Sequence, residues 1–215
     1  MNSLLYKELK LVSHPTSWLF LGLSALMLVP NYPYYVTFFY TMLGVFFVCL
    51  TGRENHDIFY TVSLPIRKRD MVKARFLFVI MIELAQLVVA IPFAWLRNGF
   101  NIADNAVGIE ANVAFFGLSL LMMGLFNLIF FIKYYRDPDK VGLAFVVSNI
   151  PIWLYMIVAE ACVHAIPFMR DCIDTRDPAF LGAKLIFLLA GALAYALLTW
   201  IAYRRSIHSF ETLDL

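Results

Sequence analysis

Six apolar runs, separated by short polar stretches, dominate the pattern of the chain. They cover residues 16–29, 33–50, 76–96, 112–132, 141–166 and 181–203. A helix that spans a bilayer needs about 20 mostly apolar residues, so the first run is short and the other five are long enough. The pattern predicts an all-α, polytopic membrane protein in which residues 1–215 form a single transmembrane domain with six transmembrane helices.

The composition indicates the same class of protein. Hydrophobic residues make up 62% of the 215 residues and charged residues 15%, where about 25% charged is usual. The mean hydropathy is +0.76. A soluble domain of this size has too little polar surface to hide so many apolar side chains. A disordered chain would not carry 16% aromatic residues. Both classes are therefore excluded.

The basic residues predict which side of the membrane each polar segment occupies. With the N-terminus inside, all but four of the 17 Lys and Arg residues fall on the cytoplasmic side; the four are Arg97, Arg170, Arg176 and Lys184. Cytoplasmic loops carry such an excess of bases, so both termini are predicted to be cytoplasmic. The rule does not distinguish two crossings between residues 16 and 50 from one re-entrant hairpin, because both return the chain to the same side.

Residues 2–13 are predicted to form an amphipathic interfacial helix. At 100° per residue, four leucines and a valine share one arc, and Lys7 and Lys10 lie opposite. Glu8 falls inside the apolar arc. Two interpretations stay open: Glu8 extends to the lipid headgroups, or the helix packs on protein and Glu8 meets a basic partner.

The segment 51–75 is predicted to be the largest cytoplasmic element. Its first part, 54–64, mixes charges with apolar and aromatic side chains, and it is longer than the roughly two to eight residues that join helices in bundles. Exposed apolar side chains indicate a binding surface, so we expect a short helix that docks on a partner. The basic cluster at 67–75 is expected to contact lipid headgroups. Residues 167–180 are expected to cap the extracellular side.

The chain carries none of the common sequence motifs of enzymes. It lacks a phosphate-binding loop, an H-E-x-x-H zinc motif and a G-x-S-x-G elbow. Three cysteines are too few for a zinc site or a disulfide framework, and whether Cys162 and Cys172 form a disulfide stays open. We expect a protein that is not an enzyme, binds no metal and draws energy from a gradient or a partner.

Polar residues inside the predicted spans are the candidate functional residues there. They are Glu83, Gln86, Asn127 and Asn149. A charge at mid-membrane costs about 2.5–3.5 kcal/mol, so Glu83 is not expected to face lipid. As a functional residue it would attract a cation or carry a proton. As a structural residue, which is the preferred interpretation, it would bond to Asn127 or Asn149 on a neighbouring helix.

Three stretches of the chain resemble the small type-2 ABC transporter permeases. The run LPIRKRDMVKARF at 64–76 is similar to a family stretch that opens on Leu-Pro and closes on a basic and an aromatic residue. LYKEL at 5–9 resembles the family's opening, and FETLDL at 210–215 its ending. Arg67 departs from the family, which often has Ser or Thr there. The closest resemblance is to permeases that export phenol-soluble modulins, which are short amphipathic toxic peptides.

The resemblance implies a homodimer of this chain with two copies of a separate ATPase subunit. ATP and Mg²⁺ would be bound by that partner, so no cofactor is expected in this chain. The segment 54–64 would be a coupling helix seated in a cleft of the ATPase, flanked by the N-terminal helix with Lys7 and Glu8. The expected contacts are Asp57, Ile58, Phe59 and Tyr60, and the wider coupling set adds Glu54, Leu64, Arg67 and Lys68.

The leading hypothesis is the non-catalytic transmembrane subunit of an ATP-driven exporter in the bacterial cytoplasmic membrane. Its further partners would be the lipid bilayer and an amphipathic peptide cargo, and not nucleic acid. An ion-coupled secondary transporter is the first alternative, although internal repeats typical of that class are not evident. A non-transporting immunity or scaffold protein is the second, and a membrane enzyme comes last. Only the exporter requires an ATPase partner.

Overall fold

The computed structural model describes residues 2–12, 15–100 and 102–213, and these ranges contain helices and irregular segments but no β-strand. The helices are α1 (Asn2–Lys7), α2 (Pro15–Gly22), α3 (Tyr35–Glu54), α4 (Asp57–Val62), α5 (Lys68–Gly99), α6 (Val113–Tyr134), α7 (Val141–Ala165) and α8 (Leu181–Glu211). Shorter π-helical and 3-10 turns cover Glu8–Val12, Leu23–Leu28, Pro138–Lys140 and Met169–Ile173. With 81% helix, the predicted all-α fold is confirmed.

Within the described ranges, five helical stretches are long and apolar enough to cross a membrane. They are α3, α5, α6, α8 and the stretch Pro138–Ala165, which contains α7. The N-terminal pieces Leu4–Lys10 and Pro15–Leu28 pass the same test together, as a pair bent by 69°. Five or six candidate spans confirm the prediction of a multi-pass membrane protein.

The hairpin formed by residues 15–54 reaches the end of the bundle that lies opposite to both termini. Its tip bonds to the segment between α5 and α6: the Asn105 side chain donates to the Tyr32 carbonyl at 3.2 Å, and the Ala106 N–H donates to Asn31 Oδ1 at 3.1 Å. Asn31 has a φ of 56°, which asparagine tolerates in tight turns. We call this end of the bundle the far end, and the end that holds both termini the terminal end. The second arm of this hairpin, α3, is long and apolar enough to cross a membrane by itself, whereas the first arm passes that test only as part of the bent pair Leu4–Lys10 and Pro15–Leu28.

Three of the spanning helices extend beyond the apolar runs that predict them. α3 continues past residue 50 to Glu54, α5 begins at Lys68 rather than at 76, and α8 continues past 203 to Glu211. Lys, Arg and Glu are good helix formers in water, so a helix does not need apolar residues to continue outside the membrane. The predicted cytoplasmic segment 51–75 is therefore mostly helical, and all of its basic cluster except Arg67 lies in the first turns of α5.

Helices α6 and α8 pack with their backbones in contact. A Cβ atom on Gly191 would overlap the Gly117 carbonyl, and one on Gly117 would overlap the Phe187 carbonyl. About two turns further along α6, a Cβ on Gly124 would lie 2.9 Å from the Tyr195 Cα. Small residues allow this approach between helices in a membrane, where packing and hydrogen bonds drive association. Of the candidate spans, α6 is the most buried and α8 the least, so α8 packs on α6 from the periphery of the bundle.

The segments 102–112 and 166–180 close the far end, and we call them the far cap. Arg97 Nε lies 3.1 Å from Glu110 Oε2, and both side chains are buried. Asn112 begins α6 by accepting the Phe115 N–H at 3.1 Å, a standard N-cap bond. Cys162 and Cys172 beside this cap are free thiols, so the structure does not form the disulfide that the sequence allows.

Asp174 joins the two segments of the far cap. Its Oδ1 accepts the Glu110 backbone N–H at 2.7 Å. Burial raises the pKa of Asp174 to about 6, from an ordinary value of 3.8, because a desolvated carboxylate is disfavoured. By contrast, hydrogen bonding to exposed Arg170 lowers the pKa of nearby Asp171. The far cap thus contains an acid whose charge changes near pH 6.

Candidate functional site

Four charged side chains meet at the terminal end, and we call them the ionic junction: Lys7, Glu8, Asp57 and Arg75. Arg75 Nε lies 2.5 Å from Glu8 Oε2, and Arg75 Nη2 lies 3.0 Å from Asp57 Oδ2. Lys7 Nζ lies 2.7 Å from Asp57 Oδ1 and 3.6 Å from Glu8 Oε1. Two acids balance two bases, so the junction carries no net formal charge.

The junction connects three separate parts of the chain. Lys7 and Glu8 belong to the N-terminal segment, Asp57 begins α4, and Arg75 lies in the second turn of α5. Thr61, one turn after Asp57, accepts a hydrogen bond from Lys7 Nζ at 2.9 Å. A movement of α4 therefore acts directly on both the N-terminal segment and a spanning helix.

Glu8 and Arg75 are almost fully enclosed, with 3% and 4% of their surfaces exposed. Breaking a buried ion pair leaves an uncompensated charge and costs several kcal/mol, so these contacts are strongly constrained. The finding decides between the two interpretations of Glu8. Its side chain does not extend to headgroups, because it packs against protein and meets Arg75.

Helix α4 presents two different faces. Phe59 and Tyr60 are exposed by 61% and 65%, and their rings contact each other with centroids 6.0 Å apart. Ile58 packs against the hydrophobic core, and Asp57 is held in the ionic junction. The four residues expected to contact a partner therefore divide into an outward pair and an inward pair.

The wider coupling set divides in the same way. Leu64 is exposed beside the outward pair, and Glu54 is exposed with its carboxylate 3.9 Å from Arg53. Arg67 is exposed and pairs with Asp70 at 2.8 Å. Lys68 instead donates to the Leu213 carbonyl at 2.6 Å. Lys68 thus ties the C-terminal segment to the start of α5.

A groove of about 520 Å³ lies next to the outward face of α4. It is lined by the end of α3, by α4 and by the connection between α6 and α7. Arg53 crosses it and donates to the Asp139 carbonyl at 3.2 Å. Charged, aromatic and apolar residues share its walls; they include Arg53, His56, Phe59, Arg136 and Asp137. This mixture is typical of a surface that contacts another protein.

Glu83 lies inside the bundle at the junction of three spanning helices. Its Oε2 accepts a hydrogen bond from Asn127 Nδ2 at 2.9 Å and one from the Tyr195 hydroxyl at 2.6 Å. Asn127 also donates to Thr199 at 3.2 Å. The bond to Asn127 is the one that the structural interpretation of Glu83 predicts. Glu83 Oε1 has no hydrogen-bond partner among the described residues.

The other intramembrane candidates lie elsewhere. Gln86 donates to Ser24 at 2.8 Å and thereby ties α5 to the 3-10 turn after α2. Asn149 donates to the Phe145 carbonyl of its own helix at 3.0 Å, so it is not a partner of Glu83. Tyr195 and Thr199 were not singled out from the sequence, although their spacing of four residues places them on one face of α8.

The terminal end combines an exposed surface with buried ionic contacts. Among the described residues, no group of three or more His, Cys, Asp or Glu side chains is placed to hold a metal ion. What the terminal end offers is an exposed aromatic pair on a short helix, with buried ion pairs behind it. These ion pairs tie α4 to α5 and to the N-terminal segment.

The amino-acid sequence was compared with protein families, curated proteins and solved structures. Residues 3–211 match the sequence model of a family described as ABC-2 family transporter protein. The matched region includes every helix from α2 to α8 and the whole ionic junction. No curated protein and no solved structure shows a significant match to the chain.

Proposed function

This chain belongs to the ABC-2 family of transporter proteins, and from that membership we propose that it is the transmembrane permease subunit of an ATP-driven exporter. A separate ATPase subunit would bind and hydrolyse ATP with Mg²⁺. The permease itself would carry no catalytic residues. Its task would be to convert closure of the ATPase into opening of a path across the bilayer.

One observation carries this proposal: the aromatic pair Phe59 and Tyr60 is exposed on a short helix at the terminal end. Large aromatic side chains that are exposed next to each other are characteristic of protein interfaces. The lipid-facing surfaces of the spanning helices cannot explain them, because α4 precedes the basic first turns of α5. The adjacent groove supplies charged groups around the aromatic pair, as the rim of an interface does.

The ionic junction supplies the mechanical connection. When the ATPase subunits close, they would push on the outward face of α4. Asp57 would pass this displacement to Arg75 and Lys7, and so to α5 and the N-terminal segment. Because the contacts are short and buried, the three elements would move as one rigid body.

Three further features of the proposal rest on the family resemblance and on the distribution of bases. The working unit would be a homodimer of this chain with two ATPases. The cargo would be an amphipathic peptide, in keeping with the resemblance to exporters of phenol-soluble modulins. The excess of Lys and Arg at the terminal end would place that end, with both termini, in the cytoplasm of a bacterial cell.

The decisive experiment is affinity purification of the chain from its host membrane in mild detergent, with identification of co-purifying proteins. The test variant is Phe59→Ala/Tyr60→Ala, because both side chains can be removed without touching the core. The matched control is Phe100→Ala/Phe168→Ala, which removes two exposed aromatic residues at the far end. We expect an ATPase to accompany the wild type and the control but not the test variant.

Other results would change the proposal in different ways. If the test variant retains the ATPase, the exporter proposal stands, but the ATPase contacts a part of the chain other than α4. Absence of an ATPase from the wild type, even after mild crosslinking, would contradict the exporter. An ion-coupled transporter would then be tested by flux measurements in vesicles with an imposed gradient.

A further inference from the structure

A second groove lies on the side of the bundle, between α5 and α8, and we call it the lateral groove. Its volume is about 530 Å³, within the roughly 300–1,000 Å³ of ligand sites in proteins. The walls are apolar and aromatic, and Phe76 and Tyr203 contact each other edge-to-face at 5.5 Å. Its lining includes Phe76, Leu77, Ile80, Ala196, Trp200 and Tyr203.

Two bases stand at the terminal end of this groove. Lys73 lines it directly and is exposed. The Arg204 guanidinium lies over the Trp200 ring, 5.8 Å from its centroid. In the described part of the chain, neither base has an ion pair with an acid. Two unpaired positive charges therefore border an apolar groove that opens sideways from the bundle.

We propose that the lateral groove binds an anionic phospholipid of the surrounding bilayer. The phosphate would contact Lys73 and Arg204, and an acyl chain would lie along the apolar wall formed by Leu77, Ile80 and Ala196. Basic pockets between transmembrane helices recognise anionic headgroups by this combination of charge and apolar surface. The site is separate from α4 and from the ionic junction, and it goes beyond the export function.

Charge complementarity selects this occupant. A zwitterionic lipid would bring the positive group of its own headgroup next to the two bases, and a second copy of this chain would bury both bases unless it supplied acids. The exposed faces of the spanning helices on either side of the groove are apolar: Leu84, Val88, Leu189 and Leu193. A second copy packed on this face with two-fold symmetry would present the same bases and apolar side chains, rather than acids, to Lys73 and Arg204.

The test uses the purified chain alone in detergent, so its outcome does not depend on any ATPase. Native mass spectrometry measures how many phosphatidylglycerol molecules the chain retains, against phosphatidylcholine with the same acyl chains. We expect retention of phosphatidylglycerol in preference to phosphatidylcholine. Removal of one base, in Lys73→Gln, should weaken phosphatidylglycerol binding about fivefold. Removal of both bases, in Lys73→Gln/Arg204→Gln, should weaken it about 20-fold.

Two matched pairs of variants separate this site from general effects. Lys133→Gln removes an exposed base at the end of α6, away from the groove, and should leave retention unchanged. Ala196→Phe fills the groove while keeping both bases, and should abolish retention. Leu197→Phe adds an aromatic ring at the next exposed position of α8, outside the groove, and should retain lipid like the wild type. Size-exclusion chromatography verifies that each variant is folded.

Three results would overturn the proposal. Equal retention of the two lipids would show that lipid binding does not depend on the charge of the headgroup. Equal retention by Ala196→Phe and Leu197→Phe would place the lipid outside the groove. A dimer that Ala196→Phe converts to a monomer would show that a second copy of this chain, rather than a lipid, occupies the groove.

Discussion

Arg75 Nε lies 2.5 Å from Glu8 Oε2, and this ion pair is enclosed by protein at the terminal end. We predict that Glu8→Ala lowers the free energy of unfolding by about 3 kcal/mol, because it leaves the Arg75 charge buried with one acid instead of two. Thermal unfolding in detergent micelles measures the change. Lys140→Ala, which breaks an exposed ion pair with Asp137, is the control and should leave the midpoint unchanged.

A second variant distinguishes loss of the ion pair from loss of packing. In Glu8→Ala/Arg75→Met both charges are gone, and Asp57 keeps its bond to Lys7. Because a buried ion pair can be replaced by apolar residues at little cost, the double variant should recover at least half of the lost stability. A double variant that is less stable than Glu8→Ala would contradict this account of the junction.

Lys7 offers a test of coupling that is independent of ATPase binding. We predict that Lys7→Met keeps the proposed complex intact but reduces export about five- to tenfold, because α4 loses its link to the N-terminal segment and keeps only its link to α5 through Arg75. Export from reconstituted vesicles and ATPase co-purification are measured on the same sample. Lys10→Met, an exposed base one turn away, serves as the control. Loss of the ATPase in Lys7→Met would make Lys7 part of the binding surface instead.

The spanning helices could be predicted from the sequence because long apolar runs have one physical explanation. The ends of α3, α5 and α8 could not, since a polar helix outside the membrane and a polar loop have similar composition. The 67–75 cluster illustrates the difference: the apolar run predicts a span from residue 76, whereas α5 begins at Lys68 and its first turns contain most of these bases. Local sequence does not show where such a helix begins.

The sequence identifies the residues of the candidate site more completely than it identifies the residues that they contact. Glu8 was recognised as misplaced in an apolar arc, but Arg75 lies 67 residues further along the chain, and only tertiary packing brings the two together. Similarly, the pattern of α4 could not show that Asp57 points inward and Phe59 outward. A six-residue helix is too short for its periodicity to fix its rotation.

Glu83 can be assigned a structural or a transport role by two substitutions. Gln at this position keeps an oxygen that accepts from Asn127 and Tyr195, so Glu83→Gln should fold as the wild type does. Glu83→Leu removes the acceptor of the Tyr195 hydroxyl and leaves Asn127 only its bond to Thr199, and it should cost about 1–2 kcal/mol. Thermal unfolding checks the stability. If Glu83→Gln is folded yet does not transport, the carboxylate has a transport role and the structural interpretation is insufficient.

The close approach of α6 and α8 predicts strong sensitivity at one glycine and tolerance at another. Gly191→Ala places a methyl group against the Gly117 carbonyl, so the helices must separate, and we expect a loss of about 2 kcal/mol or more. Gly182→Ala lies in the first turn of the same helix with no atom within 4 Å of the added Cβ. It should be neutral or stabilise α8, because alanine favours a helix. Thermal unfolding of the two variants is measured side by side. Equal midpoints would contradict the close packing of α6 against α8.

The far cap is predicted to lose stability as the pH rises through about 6. Burial raises the pKa of Asp174 to about 6; the hydrogen bond from the Glu110 N–H and the charge of His164 lower it, and the charges of Glu110 and Asp104 raise it. Between about pH 4 and pH 6 the folded protein therefore holds a proton on Asp174 that the unfolded chain has released. The stabilisation from this acid is fully present below its ordinary pKa of 3.8 and is lost as the pH rises through 6.

Asn at position 174 removes this titration and keeps an oxygen that can accept the Glu110 N–H. We expect Asp174→Asn to be more stable than the wild type at pH 7.5, and the difference to diminish and then vanish toward pH 4. Asp171→Asn is the control, since the pKa of exposed Asp171 is lowered by Arg170, and it should follow the wild type from pH 4.5 to 7.5. Thermal midpoints across this range give the comparison. A difference between Asp174→Asn and wild type that does not change with pH would show that Asp174 is not the titrating group.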